Sequence, residues 1–214
     1  MSYGRADIAI GVIDVGSPKS GKLGWAILAP NADPLLGKDL DVFIDAMTAL
    51  GANWPLAIGF EAPLFIPTPA EALKILSARK GEGSRPWSAG AGAAVTTAAL
   101  AVVTYTLAGL RRGLSLAAAS TDFSVLPVRP GDTLFFEAFV TAAAKGLDHA
   151  DDASIAAREI KALLGGDRPY RSAIDEPEVF SLLGASLLRT GWSTDLAVLS
   201  APCLVVKPGF DHYS

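Results

Sequence analysis

Apolar positions run almost unbroken through Ile8, Ile10, Val12 and Ile13, a β-branched pattern that predicts a strand buried on both faces of a sheet. Asp14 ends the run. Gly16, Ser17, Pro18, Ser20 and Gly21 then supply turn chemistry, and Leu23 to Leu28 resumes an apolar stretch that stops at Pro30. The pattern predicts two antiparallel strands joined by a loop, with the acid at the end of the inner one. Asn31 to Lys38 reads as a loop or a short third strand. The period then changes: Leu40, Phe43, Ile44, Met47 and Leu50 recur at helical spacing behind Asp39 and Asp41, so Asp39 to Leu50 is an amphipathic helix. Leu56 to Phe60 is a short buried strand, and Glu61 sets a second acid at a strand end.

Pro67 and Pro69 open a segment in which Ala70 to Arg79 predicts a helix and Lys80 to Ser88 a polar loop. Lys80, Arg85 and Trp87 in that loop suit a phosphate or nucleobase contact, although a solvated loop with one packing aromatic explains them as well. Ser88 to Leu110 carries no charge but consists largely of Ala, Gly and Thr. With few large apolar groups to drive insertion, it reads as a buried Ala-rich helix rather than a membrane span. The stretch from 67 to 131 is expected to be a helical insertion or arm on a single domain spanning 1–214. Thr133 to Val140 is the next strand and carries Glu137 among three phenylalanines. The following helix has its apolar face at Ile155, Ile160, Leu163 and Leu164, with Asp148 and Asp151 near its N-terminus. Glu178 to Thr190 predicts a last helix and Cys203 to Val206 a last strand.

Composition narrows the class. The chain has 214 residues, 50% hydrophobic and 19% charged, enough for one α/β domain with a sizeable core and too apolar for disorder. A net charge of −4 gives no global basic field for long nucleic acid. Cys203 is the single cysteine, which rules out an intramolecular disulfide and a zinc cluster. That usage, with no uninterrupted apolar core before Asp14, predicts a cytoplasmic protein without a signal peptide or membrane association.

The chemistry lies in the acids. Asp14, Glu61 and Glu137 stand at or near strand ends, and Asp152 lies in the first turn of a late helix. Converging carboxylates from distant parts of a chain are what hard cations need, two magnesium or manganese ions about 4 Å apart being the usual arrangement for phosphodiester cleavage. Asp151 competes with Asp152 as a ligand, since adjacent helix residues point about 100° apart and only one can face a metal. His149, three residues before Asp152, shares its helix face and can shuttle protons or touch substrate. Capping and salt bridging explain each acid singly.

The order of these elements resembles the ribonuclease H-like superfamily in its RuvC-type branch. It is similar in particular to a bacterial group of predicted ribonuclease H-like nucleases known as domain of unknown function 429. The likeness rests on Asp14 with Gly24 and Trp25, on Glu61 with Pro63 and Pro67, on Glu137, and on Asp152 with Ala153. It covers Ile8 to Leu164. It implies a three-layer α/β fold, a mixed sheet of five or more strands with helices on both faces. Together with the acid pattern it leads to the expectation of a nuclease or phosphodiesterase that uses Mg2+ or Mn2+, with Asp14, Glu61 and Asp152 as metal ligands and Glu137 as an accessory acid. The resemblance itself supplies no substrate, and a nucleic acid or nucleotide is the class expected. Glu61 stands where that group more often has Asp, and the segment from Glu137 to Asp152 is shorter than the pattern expects.

Other readings stay open. Gly16, Gly21 and Lys22 have P-loop spacing, but Leu23 replaces the magnesium-binding hydroxyl and a strand, not a helix, follows. An actin-like ATPase or phosphotransferase also begins with an acid-bearing hairpin. A catalytically inactive module of the same fold is a further alternative, and the sequence leaves room for a homodimer.

Overall fold

The computed structural model describes residues 7–83, 86–140, 144–166 and 170–213. Strand β1 (Ala9–Asp14) is buried along its whole length and pairs antiparallel with β2 (Gly24–Leu28), as the hairpin pattern predicts. The turn between them holds a short 3-10 segment, Pro18–Ser20, and no helix follows Lys22. β3 (Leu35–Gly37) pairs with β2, so the ambiguous stretch before the first helix is an edge strand. Helix α1 (Leu40–Gly51) starts where the Asp39 side chain accepts from the Asp41 and Val42 amides.

Parallel pairing begins with β4 (Leu56–Glu61) beside β1 and continues with β7 (Thr133–Ala138) beside β4. The other edge of β7 is divided. β6 (Ala119–Ser120) covers its first two residues and β9 (Val205–Val206) its last two, both parallel. The result is a mixed, mostly parallel sheet of seven strands in the order β3-β2-β1-β4-β7-β6, with β9 pairing with β7 off that path. A separate two-stranded ribbon joins β5 (Phe65–Pro67) to β8 (Val179–Ser181).

Alternation along the strands sorts the side chains onto two faces. Ala9, Ile13, Ile58, Phe60 and Phe135 pack against α1, α2 (Gly90–Gly113) and α4 (Leu182–Arg189). Ile10, Val12, Ala57, Leu134 and Phe136 pack against α3 (His149–Gly165). In the stretch expected to be an insertion or arm, α2 buries Ala99, Val103, Leu107 and Leu110 in the first of these cores. Among the described residues α2 is the one helix long and apolar enough to cross a membrane.

Three segments differ from the pattern's prediction. Ala70 to Arg79 is not a helix: only the 3-10 turn Ala72–Lys74 forms, Leu76 takes a positive φ of 69°, and Leu73 is 99% exposed. The apolar spacing there has no sheet face to cover, and Arg79 is drawn into the interior by buried acids. The helix expected from Glu178 begins only at Leu182, because Val179–Ser181 pairs with β5 and the Ser181 hydroxyl caps α4 through the Gly184 amide. The last strand is limited to Val205–Val206 within the apolar run.

Candidate metal centre

Asp14 and Glu61 are register partners at the C-terminal ends of the parallel strands β1 and β4. Both fall on the alternation that faces α3, Asp14 in phase with Ile10 and Val12, Glu61 in phase with Ala57. The third acid comes from α3. Asp148 caps that helix by accepting from the Ala150 and Asp151 amides, which hold its carboxyl below the ordinary carboxylate value. The cap fixes the first turn, and Asp152 points back to the strand ends. One oxygen from each of Asp14, Glu61 and Asp152 lies within 4.8 Å of the others.

Gly24 makes the convergence possible. It is the register partner of Asp14, and a Cβ there would stand 2.3 Å from the Ala150 amide nitrogen. The bare backbone lets the start of α3 close onto β2, which brings His149 Nδ1 into hydrogen bonding with Asp14 Oδ2.

Lys145 completes the cluster. Its ammonium donates to Asp152 Oδ2 at 2.8 Å and stands 3.9 Å from Glu61 Oε1, while the Gly146 amide donates to Asp152 Oδ1 at 2.6 Å. Burial pushes the Asp14 carboxyl above the ordinary value, and the charge of Asp152 adds to that. The His149 hydrogen bond and the charges of His149 and Lys145 oppose it. For Lys145 burial works against the charged form, but the Asp152 hydrogen bond and the charges of Glu61, Asp152 and Asp14 outweigh it and raise its pKa. A cavity of about 180 Å³ opens beside the cluster, lined by Asp14, Glu61, Lys145 and His149 and closed by Gly92 and Val95 near the start of α2.

Of the acids singled out from sequence, Asp14, Glu61 and Asp152 come together with His149, and two do not. Asp151 is not in the cluster; its carboxylate accepts from the Leu147 amide at 3.2 Å. Glu137 pairs with Phe60, one row short of Glu61, and so belongs to the opposite face of the sheet. There Arg79 donates to both of its oxygens at 2.8 and 2.7 Å, the Leu64 amide donates at 2.9 Å, and Glu82 takes the remaining side of the guanidinium. Glu137 is therefore the buried counter-ion of Arg79 rather than a member of the acid cluster. The charges of Glu137 and Glu82 push the Arg79 pKa up despite its burial.

Lys145, Arg79 and Glu82 escaped the reading of the sequence. The one available signal was the i, i+3 spacing of Arg79 and Glu82. Of the loop residues considered for phosphate or base contact, Trp87 donates its indole N–H to the Ser77 carbonyl and Arg85 lies outside the described residues. Cys203 is buried, and burial pushes its thiol pKa up, which leaves it unreactive.

No protein-family model, curated protein or solved structure matches the chain.

Proposed function

We propose that this protein is a divalent-metal-dependent phosphodiesterase of ribonuclease H-like type, acting on a nucleic acid or nucleotide. The observation that carries the reading is the convergence of Asp14, Glu61 and Asp152 at one end of a mixed sheet, each from a different element. The order of those elements supports it further: an acid on the first strand of a hairpin meander, an acid on the fourth strand after the first helix, and an acid at the head of a late helix.

The donor set fits a hard cation. All three ligands are carboxylates, with one oxygen from each lying within 4.8 Å of the others. Asp14, Glu61 and Asp152 would hold Mg2+ or Mn2+, which when bound lowers the pKa of water and stabilises charge on phosphate oxygens. The chain does the rest. His149 orients Asp14 and lines the cavity, where it can accept the proton of an attacking water. Val95 and Phe139 give the cavity an apolar wall that limits water around the reacting group.

The test is calorimetric titration of Mn2+ into the wild type and Asp14→Asn, followed by a cleavage screen of branched DNA, RNA and nucleotides. Binding in the wild type that is lost in the variant, with cleavage of at least one substrate class, is the expected result. Absence of binding in the wild type overturns the reading.

The second reading is a catalytically inactive module of the same fold. Lys145 favours it, because a side-chain cation already neutralises part of the triad. A folded wild type that binds no Mn2+ or Mg2+ at millimolar concentration would support it.

A further inference from the structure

We infer that the acid triad is built for a single divalent ion, with the Lys145 ammonium standing where a second metal would lie and meeting the substrate phosphate. The inference rests on the proposed metal site and specifies its composition.

Charge is the first argument. The side chains of Asp14, Glu61 and Asp152 are 8, 11 and 6% exposed, so charge on them is balanced mainly by cations within the cluster. Three carboxylates and one ammonium leave two negative charges, the complement of one divalent ion. A second divalent ion beside the ammonium would leave the positive charges exceeding the three carboxylates by two.

Geometry is the second argument. Nζ lies 2.8 Å from Asp152 and 3.9 Å from Glu61, so it bridges one side of the triad, while His149 holds Asp14 on another. Paired metals sit roughly 3.5–4 Å apart. With the ammonium already on Asp152 and beside Glu61, that side of the triad has no room for a second ion unless Lys145 moves away. Its side chain is 37% exposed and lines the cavity, so it can meet an anion that enters there while bound to the acids. A phosphate oxygen there would gain a charge-assisted hydrogen bond without a second metal.

Counting bound Mn2+ tests this directly, by calorimetry on the wild type, Lys145→Met and Lys145→Arg. The wild type should take one ion per chain. Lys145→Met, which loses the competing charge, should bind that ion tenfold or more tightly than the wild type, and Lys145→Arg should stay close to the wild type. Two ions in the wild type overturn the inference while leaving the metal site standing. So does an affinity gain below tenfold in Lys145→Met. No ion in any of the three overturns both. The wild-type count decides the stoichiometry even if Lys145→Met does not fold.

Discussion

Phe60 and Glu137 stand opposite each other on neighbouring parallel strands, one row before the row that Asp14 shares with Glu61. That single step in register decides the fate of a carboxylate. Side chains alternate across a sheet, so Glu137 enters the core beneath α2 while Asp14 and Glu61 face α3. On one face the acids converge on a cavity, and on the other an acid is held by a fully buried arginine.

Glu137→Gln should therefore damage the fold and spare the metal site. Removing one partner of a buried ion pair leaves the other charge uncompensated, a loss of about 3–5 kcal/mol. Glu82 still faces Arg79, which puts the expected loss at the lower end of that range. Urea denaturation of the variant should show the drop, with Mn2+ affinity within twofold of the wild type under folding conditions. A variant that keeps its stability and loses metal binding would place Glu137 back among the ligands.

Gly24→Ala should do the reverse. The added methyl meets the backbone of the first turn of α3 at 2.3 Å, and the helix has to retreat. Overpacking of this kind costs about 1–3 kcal/mol, and the retreat carries His149 and Asp152 away from Asp14. Mn2+ affinity should fall tenfold or more while circular dichroism stays native. Gly165→Ala, at the far end of the same helix with nothing near its Cβ, is the control that should change neither.

Much of this was legible in the chain and some of it was not. The β1–β2 hairpin and β4 follow from unbroken apolar runs bounded by turn residues, α1 and α3 from a period of 3.6 with capping acids, and Asp14 and Glu61 follow as strand-end acids. The parity of Glu137 does not follow, because a strand buried on both faces has no polar alternation to show which side each residue takes. The stretch from Ala70 to Arg79 misled for a different reason. Its spacing is helical, but the pairing of Arg79 with Glu137, 58 residues away, dictates its path. Lys145 carries no pattern at all. It lies in a short loop, and only the docking of α3 brings it to the acids.

Asp14 also predicts a pH dependence. Folding raises its pKa, so the folded state holds that proton more tightly than the unfolded chain. Stability is then lost as pH rises through the window between the ordinary carboxylate value and the folded one. Asp14→Asn removes this loss. The metal-free variant should have a higher urea midpoint than the metal-free wild type at pH 7, and the gap should close as the pH falls to about 3, below the ordinary carboxylate range. A wild type more stable than the variant at pH 7 would mean that the His149 hydrogen bond outweighs the burial of the carboxylate. The same comparison in Mn2+ should reverse the order, since the ion stabilises only the chain that binds it.

Asp151 and Asp152 give the sharpest comparison, being neighbours of identical chemistry at the head of one helix. Asp152 is 4% exposed and accepts from both Lys145 and the Gly146 amide, so it is oriented before any ion arrives. Asp151, about 100° around the helix axis from Asp152, accepts from the Leu147 amide. Asp152→Asn should abolish Mn2+ binding, whereas Asp151→Asn should leave the affinity within about threefold of the wild type, the change expected from losing one nearby charge screened by water. Equal losses in the two variants would mean that the negative charge at the helix start, and not the direction of one carboxylate, is what attracts the ion. The contrast thus separates a coordination site from an acidic surface, and it does so without a substrate.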